Sequence, residues 1–230
     1  MAAWQGRLAS LLDFVLDWCL PPECAACDAA IAHGAFCASC RALVRAPAGE
    51  RALDGVRVLA AAVYAPPIAP ALRRLKYHAR PDLARPIAAL AAPALHALRV
   101  RRSDAFVPVP LHPKRLAERG YNQAALLARA FAMSTGARYA PRALARCRDT
   151  PQQAGLQRRE RLLNVQSVMQ ARRPYAVAGS RIVLVDDVVT TGATALGCIR
   201  ALRAAGAEVC AVVAIGLADD AAADAARDSP

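Results

Sequence analysis

The chain has 230 residues, 56% of them apolar, and carries a formal net charge of +12. That is enough apolar material for one full α/β domain plus a small appendage, and it excludes a disordered chain. The basic excess favours phosphate-rich or polyanionic ligands, while aromatic residues at 5% leave few platforms for stacking the bases of a single strand.

The first predicted element is a helix over Trp4–Leu20, apolar on much of its surface but interrupted by Asp13 and Asp17. No small-residue cleavage site follows it, so it is expected to be neither a signal peptide nor a membrane span, but an amphipathic helix packing on the next module or on a partner. That module holds two C-x-x-C pairs, Cys24 with Cys27 and Cys37 with Cys40. Each pair can turn two thiolates toward one ion, and together they match a structural zinc site of four cysteines with no open position. The rival readings are two redox pairs or buried free thiols. Without a secretion signal the compartment is expected to be reducing and cytoplasmic, where metal binding outweighs disulfides. Cys19 and His33 lie close by but outside the paired spacing, and Cys147, Cys198 and Cys210 stand apart, the last two on apolar elements.

Residues 41–54 are polar, contain Pro and Gly and keep no period, so they are expected to separate a module at 1–45 from a larger domain at 55–218. In that domain the pattern predicts a strand over Val56–Tyr64, helices over Ala69–Tyr77 and Leu83–Leu98, and a strand over Ala105–Val109. A Pro-rich loop carrying Lys114, Arg115 and Arg119 follows, then a helix over Gln123–Ser134. The three cations suit either an anion pocket or a solvated basic turn. Between Arg138 and Arg173 lie nine Arg against Asp149 and Glu160, in a polar segment of the kind that closes over sites as a lid.

The most informative stretch comes next: a strand over Arg181–Val185, the acidic pair Asp186 and Asp187, a turn of Thr190, Thr191, Gly192, Ala193 and Thr194, and a helix over Ala195–Ala205. Ligands of open α/β sheets bind at such carboxyl ends. The turn offers backbone N–H groups and hydroxyls at a helix N-terminus, which suits a phosphate, and the carboxylates can accept from vicinal sugar hydroxyls or help hold hydrated Mg²⁺. Gly192 is expected to let the backbone close around the anion. A strand over Glu208–Leu217 and an Ala- and Asp-rich tail at 219–230 complete the chain. Alternating strands and helices imply a largely parallel sheet covered by helices.

The run from Ile182 to Thr194 closely resembles the signature of type I phosphoribosyltransferases, in which an acidic pair grips the ribose of phosphoribosyl pyrophosphate (PRPP) and the turn holds its 5′-phosphate. Further phrases extend the likeness to the ComF family: the four cysteines, Leu75-Lys76-Tyr77, residues 107–112, Arg119 to Gln123, Arg146 with Thr150 and Gln152, and Arg161 with Asn164 and Val165. The resemblance implies a type I phosphoribosyltransferase-like fold with an N-terminal zinc module. It implies catalytic roles for Asp186 and Asp187, phosphate binding by Thr190 to Thr194, and phosphate contacts from Lys76, Lys114, Arg115 and Arg119. The 110–122 loop then corresponds to the pyrophosphate loop and 146–168 to the loop closing over the site. Three functions follow for comparison: transfer of a phosphoribosyl group with Mg²⁺, non-catalytic handling of imported single-stranded DNA alongside competence proteins, and PRPP-dependent regulation.

Overall fold

The computed structural model describes residues 22–146, 169–172 and 177–218. The expected helix over Trp4–Leu20, Cys19, Cys147, nearly all of the 146–168 segment and the tail lie outside the described residues. Among the described residues no helix is long and apolar enough to cross a membrane.

Six strands form one sheet: β1 (Arg51–Leu53), β2 (Val56–Val63), β3 (Ala105–Pro108), β4 (Arg138–Tyr139), β7 (Arg181–Val189) and β8 (Glu208–Leu217), in the order β1-β2-β8-β7-β3-β4. Only the β1–β2 pair is antiparallel; the others are parallel. β5 (Leu144–Arg146) and β6 (Met169–Ala171) make a separate antiparallel ribbon. The helices are α1 (Ala38–Ala42), α2 (Ile68–Tyr77), α3 (Ala84–Ala88), α4 (Ala92–Ala97), α5 (Pro113–Arg119), α6 (Gln123–Thr135) and α7 (Ala193–Ala204).

Both faces of the sheet are covered, as a parallel sheet requires. Alternation along β7 sends Val183 and Val185 to one face and Ile182 and Leu184 to the other. The first face packs under α2, with Ile68, Ala71, Leu72 and Leu75 at one-face spacing, and under α6, with Leu127, Ala128 and Phe131. The second packs under α7 through Ala195, Cys198, Ile199 and Leu202. In β8 the register shifts opposite Ile182 and Val183, at Cys210, which stands in the bulge half-buried and donates its S–H to the Ile182 carbonyl at 3.1 Å. The cysteine module is continuous with the first core, where Cys24, Ala25, Ala35 and Phe36 are buried.

Four expectations need correction. The helix over Leu83–Leu98 is broken into 3₁₀ turns at Pro81–Leu83 and Ala89–Ala91 and the short helices α3 and α4, because Pro86 and Pro93 supply no N–H and tolerate only first-turn positions. The sheet begins before Val56: Asp54 (φ 52°) and Gly55 (φ 75°) form a two-residue turn with both residues left-handed, joining β1 to β2. The Pro-rich loop contains α5, started by His112, whose Nδ1 accepts from the Lys114 N–H at 3.3 Å, and stopped by Gly120 at φ 81°. Finally, β7 does not end at Val185 but pairs with β8 through Asp186 to Val189.

Candidate sugar-phosphate site

The acidic pair sits at the carboxyl end of β7, near the middle of the sheet. Asp187 is 3% exposed, yet it is surrounded by polar groups from two helices. Lys76, in the last turn of α2, forms an ion pair with Asp187 Oδ2. Gln123, the first residue of α6, donates from Nε2 to Asp187 Oδ1 at 3.2 Å. Asp186 turns its carboxylate back to accept from the Asp187 N–H at 2.9 Å.

This arrangement separates the two acids electrostatically. Burial raises the Asp186 carboxyl well above the usual range, and the neighbouring Asp187 charge adds to the rise. Burial also pushes Asp187 upward, but the Lys76 ammonium and the hydrogen bonds from Lys76, Asp186 and Gln123 outweigh it and hold Asp187 below its ordinary value. For Lys76, burial favours loss of the proton, and the charge of Asp187 more than offsets it. Of the two carboxyls Asp186 is therefore the one that keeps its proton more readily and Asp187 the one that ionises more readily, with the Lys76 ammonium alongside.

The groups around the pair come from the two short phrases that accompany it. Arg119 Nη1 donates to Gln123 Oε1 at 2.5 Å and stacks its guanidinium over Tyr77, 5.0 Å from the ring centroid. The Tyr121 hydroxyl donates to the Leu75 carbonyl at 2.6 Å, satisfying an acceptor left open at the end of α2. Asn122 caps α6 by accepting from the Ala124 N–H at 3.0 Å, and its Nδ2 donates to the Val109 carbonyl at 2.9 Å. Residues 75–77 and 119–123 thus clasp each other above the end of β7, and the chain of contacts runs Arg119, Gln123, Asp187, Lys76. Sequence reasoning placed Lys76 and Arg119 among the candidates but quoted Gln123 only as the end of a family phrase, with no role at the site. The signal was its place one residue after an N-cap, a buried polar position on a helix start beside the sheet.

The turn after β7 keeps Thr190 and Thr191 exposed, buries Gly192 and half-buries Ala193 and Thr194. Thr191 Oγ1 accepts from the Ala193 N–H at 3.4 Å, and α7 starts at Gly192 with no side-chain cap. Gly192 has φ +79°, and a Cβ there would lie 2.5 Å from Leu53 Cδ2. The requirement for glycine therefore comes from the left-handed backbone and from β1 pressed behind the turn, a reason absent from the sequence reading. Lys114 and Arg115 are exposed on α5 and are not gathered onto the acidic pair as Lys76 and Arg119 are.

Across the first core, the sulfurs of Cys24, Cys27, Cys37 and Cys40 all lie within 4.8 Å of one another, close enough to share one metal ion. Their donor set fits a soft or borderline cation with a closed shell of thiolates. Burial raises the Cys24 thiol, but backbone N–H groups of Cys37, Ala26 and Cys27 outweigh it and take it down to about 6. The module is fastened by a bidentate ion pair from Arg74 to Asp28, by Arg74 Nη1 donating to the Cys24 carbonyl at 3.4 Å, and by Arg80 pairing with Glu23 at 3.2 Å. His33 is not part of the cluster.

Comparison with known proteins bears on this geometry. The phosphoribosyl transferase domain family matches residues 120–229, which include β7, the acidic pair and the turn. The DNA utilization protein YhgH of Escherichia coli strain CFT073 is 35% identical over 142 residues, covering 60% of this chain and 62% of the relative. YhgH of Salmonella typhi is 31% identical over 191 residues, 72% of this chain and 82% of the relative. Competence protein F of Haemophilus influenzae is 35% identical over 108 residues, 46% of each. The match to the Escherichia coli relative thus spans about three fifths of that protein's length. A phosphoribosyltransferase domain built on a mostly parallel sheet, joined to a four-cysteine module, defines the class. The chain belongs to the ComF family of phosphoribosyltransferase-domain proteins.

Proposed function

We propose that the protein binds PRPP, or a closely related sugar phosphate, at the carboxyl end of β7 and transfers its phosphoribosyl group to an acceptor with release of pyrophosphate. One observation carries this reading: Asp186 and Asp187 are followed within the same strand-to-helix crossover by a hydroxyl-bearing turn whose buried Gly192 opens α7. In this reading Thr190 to Thr194 hold the 5′-phosphate through backbone N–H groups and hydroxyls. Asp187, ionised and positioned by Lys76 and Gln123, accepts from the ribose hydroxyls and faces the positive charge that develops on the sugar as the bond from C1 to the pyrophosphate oxygen breaks and the bond to the acceptor forms. Arg119 and Lys76 offer charge to the leaving pyrophosphate, with Lys114 and Arg115 farther out. Mg²⁺ bound with PRPP supplies further neutralisation of the pyrophosphate, and the carboxylates are the donors suited to its hydrated shell.

Zinc is the ion we assign to the four cysteines, in a structural role, since all four ligands come from the protein. A four-thiolate metal site needs its cysteines reduced, and on that ground we place the protein in the cytoplasm.

A second reading, handling of single-stranded DNA in competence without transfer chemistry, draws on the net charge of +12 and on the names of the relatives, a DNA utilization protein and a competence protein. A PRPP-dependent regulator is the intermediate case. Calorimetry of PRPP with Mg²⁺ on the zinc-loaded protein separates the two PRPP-binding readings from DNA handling, and release of pyrophosphate on adding an acceptor separates transferase from regulator, with Asp186→Asn/Asp187→Asn as the control and circular dichroism to verify its fold. Saturable binding by the wild type that the variant loses supports the sugar-phosphate site. A folded wild type that binds no PRPP, yet binds single-stranded DNA with steep salt dependence and indifference to Asp186→Asn, overturns it.

A further inference from the structure

On the flank of the first core, away from the acidic pair, a groove of about 530 Å³ runs between the α3–α4 segment and α6. Ala84, Ala88 and Ala92 line one wall, and Leu126, Ala130 and Met133 the other. Met133 stands 69% exposed at the rim, more than any other large apolar side chain among the described residues. Small side chains along one wall leave a trough for large ones, and nothing among the described residues fills it.

The described chain begins at Pro22, at one end of this groove. Glu23 pairs with Arg80 at 3.2 Å, Arg80 also pairs with Asp82 at 3.0 Å, and Asp82 with Pro81 lines the groove mouth. Glu23, one residue beyond Pro22, is therefore held beside the end of the groove lined by Pro81 and Asp82. Their sequence carries Trp4, Leu8, Leu11, Val15 and Trp18, spaced by alternating fours and threes, which on a helix is a single apolar stripe. Asp13 and Asp17 fall on the opposite face of such a helix, and at 1.5 Å per residue a helix over Trp4–Leu20 would be about 25 Å long, ample to span the trough. We propose that the groove between α3–α4 and α6 is the docking site of the chain's own N-terminal segment, residues 1–21, which places its large apolar side chains over the alanine wall. A second copy of the chain or another protein would fit the same trough, but the tether at Glu23 raises the local concentration of this one occupant above that of any free competitor.

The test is unusually direct, because the chain's two Trp, Trp4 and Trp18, both lie in the docking segment. Tryptophan emission and acrylamide quenching of the full-length, metal-loaded protein then report on that segment alone. The expected result is blue-shifted emission with weak quenching in the wild type at all concentrations. Met133→Arg, at an exposed rim position, and Ala130→Arg, in the wall, should each shift the emission to the red and raise the quenching constant several-fold, with far-ultraviolet circular dichroism unchanged. Water-like emission in the wild type overturns the proposal, as does emission that stays blue in a folded Met133→Arg chain. A blue shift lost on dilution, in step with dissociation of a dimer, assigns the groove to a second copy and also overturns it.

Discussion

Asp186 and Asp187 are neighbours in sequence with opposite electrostatic fates. The native state holds a proton on Asp186 that the unfolded chain releases above about pH 4, so this residue makes stability fall as pH rises from there toward its raised native value. Asp187, held low, contributes stability that is present above about pH 4 and lost as pH drops through its native value. Asp186→Asn keeps an oxygen that can accept from the Asp187 N–H and removes the titration. The variant should therefore gain stability relative to the wild type as pH rises, read as urea midpoints from about pH 4 to about pH 8. Parallel curves for the two proteins would show that Asp186 is not protonated in the native state.

At the scale of elements, α2 and α6 are locked by their ends rather than by their faces alone. Tyr121, between the left-handed Gly120 and the cap Asn122, reaches the Leu75 carbonyl at the end of α2. Tyr121→Phe should cost about 1 kcal/mol in urea unfolding, and it should weaken PRPP binding more than that loss of stability explains, since Lys76 and Gln123 would no longer be held in register on Asp187. Equal PRPP affinity in the two proteins would make Tyr121 a purely structural contact. Much of this layer was legible in the sequence: the apolar runs of β2, β7 and β8 and the one-face spacing in α2, α6 and α7 give the elements, and the two C-x-x-C pairs mark the clustered thiols. The rest turned on local backbone signals outweighed by broader ones. Asp54 and Gly55 are a hairpin signature set in a polar stretch, and His112, Pro113 and Gly120 are start and stop signals inside a loop rich in proline. The ion pair of Lys76 with Asp187 depends on two elements far apart in sequence meeting over one strand end, which no local pattern reports.

For the molecule as a whole, the four-cysteine module is not an independent bead. Phe36 is 2% exposed within the same core as Leu72, Leu75 and Val213, and Arg74 ties Asp28 to the helix that also carries Lys76. Chelation of the metal we assign to the four cysteines should therefore lower the melting temperature of the entire chain, measured by calorimetry, and added zinc should restore it. An unchanged main transition would show that the module contributes no stability to the larger domain. The pairing of β5 with β6 has a different kind of consequence. Arg146 and Met169 are partners across the ribbon, so the residues that separate them start and finish about 5 Å apart, against α7. Doubling the length of such a closed loop adds only about 0.6 kcal/mol of closure entropy. Closure by the ribbon thus makes the stability of the sheet only weakly dependent on how many residues lie between these two positions.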